Sequence, residues 1–297
     1  MNDSRRIILT ECPRDSFQGF SRFIPTEEKT AYINMLIRSG MRRIDFGSFV
    51  SPKAVPQMAD TAAVFENLKR VDDLYLIGIV ANLRGVEGIA ACNHKWGHTG
   101  GRINAAGYPL SVNETFQRRN TNRGHNEAWS DLDEIAALCR GEAIDLIVYL
   151  SMAFGNPFGE PHDPVVVVEF AKRLEGLGAA LVMLADTVGV GAPGEIRDGF
   201  GTAKEALPGV ELGVHLHAAP STLKEKVEAA LDAGCRRFDS AVGGIGGCPF
   251  ADDALVGNID TIQLLPLLKE NRFNPEIDAE SLLDAAVRAA ELTRLYA

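Results

Sequence analysis

His215 and His217 stand one residue apart at the end of an apolar run, residues 210–217. A β-strand alternates its side chains with period two, so both imidazoles leave the same face. Two neutral imidazoles aimed into one space make half of a metal site, which a carboxylate from elsewhere in the fold completes. Asp15, just past the first apolar run, is the candidate. The pair by itself fits equally well with histidines that bond buried carbonyls or face solvent. Metal is favoured because Asp15 and the glycine-rich segment 243–249 also fall at strand ends, where barrel enzymes carry out their chemistry.

Arg14 precedes Asp15, and adjacent opposite charges usually form no more than a surface ion pair. At the end of a barrel strand the same two residues can divide the labour of carbonyl chemistry, Asp15 ligating a cation and Arg14 stabilising a developing oxyanion. Cys248 sits in Gly246-Gly247-Cys248-Pro249, where paired glycines let the backbone move and approach a ligand. The competing reading is a packed, inert thiol, as for Cys12 and Cys235 inside strands. Asp186 and Asp45 end two other apolar runs and either face the site or cap the next helix. Residues 189–194 match G-x-G-x-x-G between a strand and a helix. A dinucleotide fingerprint belongs in an early βαβ unit, and this motif follows the sixth strand, so a turn with Pro193 at the first helical position is expected.

These residues need a scaffold that gathers strand ends. Short apolar runs at 6–13, 43–49, 74–82, 102–106, 145–153, 180–187, 211–217 and 236–242 alternate with helical segments, the pattern of strands buried on both faces of a parallel sheet. Thr26 is expected to cap a helix over 27–39 with Gly40 behind it, and Ser221 one over 222–233 with Gly234 behind it. Pro164 and Pro193 suit first-turn positions. Eight strands alternating with helices over this length predict a closed (β/α)8 barrel in one domain spanning 1–297. Residues 93–101 are polar and glycine-rich, so irregular structure is expected before the fourth strand. His94, Trp96 and His98 there read as a solvated loop. Residues 278–296 read as an amphipathic C-terminal helix packed on the barrel or on a partner.

The chain has 297 residues, 46% of them hydrophobic and 24% charged, and is long enough to bury a large core. A formal charge of −10 argues against nucleic acid or an anionic membrane surface as the main partner, while a local basic pocket for a phosphorylated ligand stays allowed. No run of about 18 apolar residues occurs. Residues 1–6 lead into a strand without an apolar signal segment, so a cytoplasmic location is expected. The five cysteines lack C-x-x-C spacing, so free thiols are expected.

Several segments carry a family resemblance. Glu11-Cys12-Pro13-Arg14-Asp15-Ser16-Phe17-Gln18 resembles the G-P-R-D-G-L-Q segment of 3-hydroxy-3-methylglutaryl-CoA (HMG-CoA) lyases. Residues 48–58, Ser-Phe-Val-Ser-Pro-Lys-Ala-Val-Pro-Gln-Met, are similar to that family's S-F-V-S-P-K-x-V-P-Q-M. The stretch from Asn113-Glu114 to Asn122, residues 186–191, the His215-Leu216-His217 triplet and the loop 240–250 agree as well, the last with S-V-A-G-L-G-G-C-P-Y. The resemblance covers residues 7 to 260. It implies a barrel metallolyase that holds Mg2+ or Mn2+ on Asp15, His215, His217 and Asn258 and cleaves HMG-CoA, an acyl-CoA substrate, to acetyl-CoA and acetoacetate. It further implies Arg14, Cys248 and Asp186 as catalytic residues: oxyanion stabilisation by Arg14, proton transfer by Cys248 from a closing loop, and orientation or deprotonation of the substrate hydroxyl by Asp186. Gln18, Asp45, Ser48 and Lys53 become substrate-binding residues, and a homodimer is implied.

This chain departs from the family pattern in carrying Ala218 where the family usually places Asp after H-x-H, and Asp45 for a family Glu. No basic residue soon after Gln18 cleanly matches the family's, and the interval from Cys248 to Asn258 is one residue longer. The competing readings are a lyase or aldolase for a related 3-hydroxyacyl-CoA or hydroxy acid, an Fe(II) oxygenase built on the two histidines and an acid, and a barrel that binds metal or acyl-CoA without turnover.

Overall fold

A computed structural model describes residues 6–247 and 256–297. Its first half runs β1 (Ile8–Glu11), α1 (Pro13–Phe17), α2 (Thr26–Arg38), β2 (Arg43–Ser48), α3 (Thr61–Asn67), β3 (Tyr75–Ile79), α4 (Leu83–Trp96), β4 (Ala105–Ser111), α5 (Glu114–Thr121) and α6 (His125–Gly141). The second half runs β5 (Asp145–Ser151), α7 (Pro164–Leu177), β6 (Leu181–Asp186), α8 (Pro193–Ala206), β7 (Glu211–Leu216), α9 (Leu223–Asp232), β8 (Arg237–Ser240), α10 (Thr261–Glu270) and α11 (Ala279–Tyr296). The strands are parallel, follow sequence order and close on themselves, with β8 beside β1 through Ile8 opposite Arg237 and Glu11 opposite Ser240. This is the expected (β/α)8 barrel.

The strands sort their side chains by parity. Alternate residues Ile77 and Ile79, Ile147 and Tyr149, Leu181 and Met183 form one buried cluster, while intervening residues such as Leu76, Val148 and Val182 belong to the larger core that includes the helices. Burial on both faces explains why the runs read as continuously apolar.

Three local expectations need correction. The fourth strand lies at Ala105–Ser111 rather than 102–106, its central Pro109 having obscured it. Residues 93–96 are not irregular. They continue α4, which buries Val86, Ile89, Ala90 and Cys92 and turns its polar side outward. His94 pairs there with Glu142 at 2.8 Å, and Trp96 packs edge-on against Phe65. Neither Thr26 nor Ser221 caps a helix. The Thr26 hydroxyl donates to Asp60 at 2.7 Å, and α9 starts behind Thr222 without a side-chain cap.

Pro164 and Pro193 open α7 and α8 as expected, so residues 189–194 form a strand-to-helix turn. Cys12, Cys92, Cys139 and Cys235 are free and buried. Asp278 caps α11, which buries Leu282, Ala285, Ala289 and Leu292 and packs against α2. No described helix is long and apolar enough to cross a membrane.

Glu11 ties the barrel closure together. Its fully buried carboxyl accepts the Val242 N–H at 2.7 Å and meets the Thr261 hydroxyl at 2.6 Å. Burial raises its pKa to about 8, although the Thr261 and Val242 bonds oppose the rise. The unfolded chain loses this proton near 4.5 and the native chain only near 8. Between those values the native state binds more protons, so stability falls as pH rises, by up to about 1.4 kcal/mol per pH unit. Glu11→Gln keeps an acceptor for Val242 and removes the titration. It is expected to flatten this slope and to melt above wild type beyond about pH 8. Melting curves across pH check this, and a variant that melts no higher there refutes it.

Candidate active site

The end of the barrel at which the strands terminate opens on a cavity of about 300 Å³. Arg14, Asp15, Gln18, Ser48, His215 and His217 supply polar lining, and Val50, Val55, Ile79, Phe116 and Tyr149 much of the apolar wall. Arg14 and Asp15 lie on α1, the short helix opened by Pro13 directly behind β1. His215 lies near the end of β7 and His217 just beyond it. Asn258 is set beside His217 by an isolated bridge. Closure of β8 onto β1 is what brings the start and end of the chain together here.

The ring nitrogens of the two histidines have determinate roles. His217 Nδ1 lies 2.7 Å from the Val256 carbonyl, which only accepts, so that nitrogen carries hydrogen. His215 Nδ1 lies 3.1 Å from the Asp239 carboxylate and likewise donates. In the neutral rings each Nε2 is thereby left with a lone pair, and the two atoms face one another at 3.1 Å. Two lone pairs at that distance require a proton or a cation between them. Ligand atoms of Asp15, His215 and His217 all lie within 4.8 Å of one another. Asn258 donates to Asp15 at 2.7 Å and to the Ile245 carbonyl at 2.9 Å. Two imidazoles with a carboxylate and an amide form a donor set that fits a divalent cation. Asp239 behind His215 supplies the outer carboxylate that orients a ligating imidazole.

Electrostatics agree. Burial pushes the Asp15 carboxyl up, but Arg14, both histidines and Asn258 together bring it down to about 2, leaving an anionic ligand. Burial disfavours charge on both imidazoles. At His215 the Asp239 carboxylate outweighs it and raises the pKa, whereas at His217 burial prevails, reinforced by His215.

Arg14 is held in a fixed plane. Its Nε and Nη2 engage Asp45, with Nε–O distances of 3.2 and 3.0 Å, and its Nη1 reaches Asp15 at 2.9 Å and Gln18 at 3.1 Å. Of five N–H donors, these contacts among the described residues leave one Nη2–H for a substrate oxygen. Burial lowers the Arg14 pKa, but Asp45 and Asp15 more than compensate and raise it.

Of the residues expected to bind substrate, Gln18 and Ser48 line the cavity. Asp45 does not. It is buried behind Arg14, and burial, opposed by Arg14, raises its pKa to about 6. Lys53 is exposed beside Ala54, a lining residue. Asp186 is absent from the lining: Oδ1 accepts the Gly191 N–H at 3.1 Å and Oδ2 accepts from Lys226 at 2.6 Å. Cys248 lies outside the described residues. Gly246 adopts φ +108°, and a Cβ there would sit 2.5 Å from Asn258 Nδ2, so the glycine lets the loop approach the ligand cluster.

Sequence reasoning missed Asp239, Lys226 and Tyr149, whose ring meets His215 edge-on at 5.8 Å. The available signals were a carboxylate in a buried strand and a lysine on the apolar stripe of α9, both of which need partners.

The site's relatives are known proteins. The mitochondrial HMG-CoA lyase of Rattus norvegicus is 32% identical over 282 residues, 95% of this chain and 84% of the relative. The cytoplasmic 3-hydroxy-3-methylglutaryl-CoA lyase of Danio rerio is 32% identical over 278 residues, 94% of this chain and 80% of the relative. An HMG-CoA lyase structure from Acinetobacter baumannii, solved with coenzyme A and 3-methylmalate, superposes with a TM-score of 0.89 at 29% identity, covering 99% of this chain and 93% of that one. The HMGL-like family model matches residues 6–288. With its barrel, its paired histidines and a match over nearly its whole length, the chain belongs to the HMGL-like family.

Proposed function

We propose that this protein is a divalent-cation-dependent lyase that cleaves 3-hydroxy-3-methylglutaryl-CoA to acetyl-CoA and acetoacetate. The observation that carries this reading is the opposed pair of His215 and His217 lone pairs beside the anionic Asp15 and the fixed Arg14. Asp15, His215, His217 and Asn258 are assigned to hold the cation, Mg2+ or Mn2+, both of which suit oxygen-rich sites that tolerate imidazole. When bound, such a cation supplies a Lewis acid for the hydroxyl and carbonyl oxygens of the substrate.

In the reaction the tertiary hydroxyl loses its proton, a C–C bond breaks, and the alkoxide carbon becomes the ketone of acetoacetate. The electron pair of the broken bond passes into the thioester as the acetyl-CoA enolate, whose carbon then takes up a proton. The remaining Nη2–H of Arg14 is assigned to the oxyanion that forms. Proton transfer is assigned to Cys248, and Gln18 and Ser48 to the acyl part. Lys53, outside the cavity, is assigned to the anionic part of the CoA substrate. The acyl-CoA assignment is in keeping with the coenzyme A bound in the Acinetobacter relative. A homodimer and a cytoplasmic location complete the proposal, the latter in line with the cytoplasmic Danio rerio relative.

The test is release of acetoacetate and acetyl-CoA from HMG-CoA by metal-stripped protein, with and without added Mg2+ or Mn2+. Turnover that requires the cation is expected. Protein that binds the cation and releases neither product overturns the substrate assignment.

A further inference from the structure

Lys226, in the first half of α9, is buried. Its ammonium has three donors, and three acceptors surround it: Asp186 Oδ2 at 2.6 Å, the Gly189 carbonyl at 2.9 Å and the His217 carbonyl at 3.1 Å. These acceptors belong to the end of β6, the turn behind it and the end of β7. One of them is the backbone of a residue whose ring faces the proposed cation. The Gly189 turn, at φ +73°, also packs closely on His217 and Val256, since a Cβ there would lie 3.2 Å from Val256 and 3.3 Å from the His217 carbonyl. Val256 in turn supplies the carbonyl that fixes the His217 ring. Lys226 thus grips both the backbone of His217 and the turn packed against its ring partner. At position 218, where the resemblance led to the expectation of a carboxylate, this chain has alanine.

A buried ion pair is a weak source of stability, because neutral replacement of both partners often costs little. Here the contacts of Lys226 reach two neighbouring strand ends, and both Asp186 oxygens are engaged, one by Lys226 and one by the Gly191 N–H.

We propose that Lys226 is a positioning residue for the cation site, fixing His217 through its backbone, and that Asp186 serves this clamp rather than removing the substrate proton. The proposal rests on the lyase reading only in requiring a cation at His217.

The test is Mn2+ titration of the full-length, metal-stripped protein without substrate, together with melting curves. The variants are Lys226→Met, the double variant Lys226→Met with Asp186→Asn, and Lys29→Met. Lys29 is a second buried lysine, paired with Asp60 at 2.6 Å and bonded to the Gln57 carbonyl rather than to any of the four proposed ligands. Lys226→Met is expected to weaken Mn2+ binding by about 10- to 100-fold, the range for loss of a group that supports a metal ligand. The double variant removes the unpaired carboxylate and is expected to recover the melting temperature but not the affinity. Lys29→Met is expected to lose melting temperature and keep full Mn2+ affinity. A folded Lys226→Met or double variant that binds Mn2+ as wild type does overturns the positioning role while leaving the lyase reading intact. Wild type that binds no Mn2+ overturns both.

Discussion

Arg14→Lys is expected to bind the cation yet turn over HMG-CoA about 100- to 1000-fold more slowly, the loss found when a fixed oxyanion donor is removed. A lysine ammonium is a point charge and cannot reproduce the planar fork by which Arg14 engages Asp45, Asp15 and Gln18 at once. The loss is therefore expected in kcat as well as kcat/KM, because the missing contact forms as charge develops. Arg14→Gln goes further and leaves Asp45 buried without its partner, at a cost of about 3–5 kcal/mol in stability. Arg14 is also the first group that offsets burial at Asp15. Arg14→Gln removes that charge and raises the Asp15 pKa, so its acid limb of cation binding moves to higher pH. Steady-state kinetics and a pH series of Mn2+ titrations measure these effects, and wild-type kcat in Arg14→Lys removes Arg14 from the reaction.

His217→Ala is expected to abolish cation-dependent turnover and to weaken Mn2+ binding by more than the roughly 10- to 100-fold that loss of an outer-sphere group causes. Asp239→Asn, which alters the partner of the His215 nitrogen turned away from the proposed cation, is expected to fall within that smaller range. In wild type the proposed cation is expected to take the place of a proton on the paired histidines, so that affinity rises with pH and binding releases a proton. Calorimetry in two buffers of different ionisation enthalpy reads that proton directly. Equal Mn2+ affinity in His217→Ala and wild type removes this residue from the ligand set.

The parts of the site visible from sequence were those encoded over short distances. Period-two alternation placed His215 and His217 on one face, and Asp15 followed its strand at once. Strand number and order were legible because strands buried on both faces read as apolar runs bounded by turn residues. The fourth strand was misplaced because Pro109 and Ser111 break its apolar pattern, and the end of α4 was misread because a half-exposed helix is free to carry polar residues. Asp45, Asp186 and Lys226 defeated local reasoning for another reason. Their side chains are defined by partners 31 and 40 residues away, and only tertiary packing decides whether a strand-end carboxylate faces the cavity or the residue behind it.

Closure of β8 onto β1 carries a consequence for folding. Asp15 and His217 are about two hundred positions apart, and they meet only when the first and last strands are zipped together. A cation held between them has affinity for the closed ring and little for any chain in which that seam is open. By mass action it stabilises the closed state by about 2.7 kcal/mol at one hundred times its dissociation constant. An ion bound there for the proposed chemistry would thereby also work as a clasp, making resistance to unfolding depend on the free concentration of the metal around the protein.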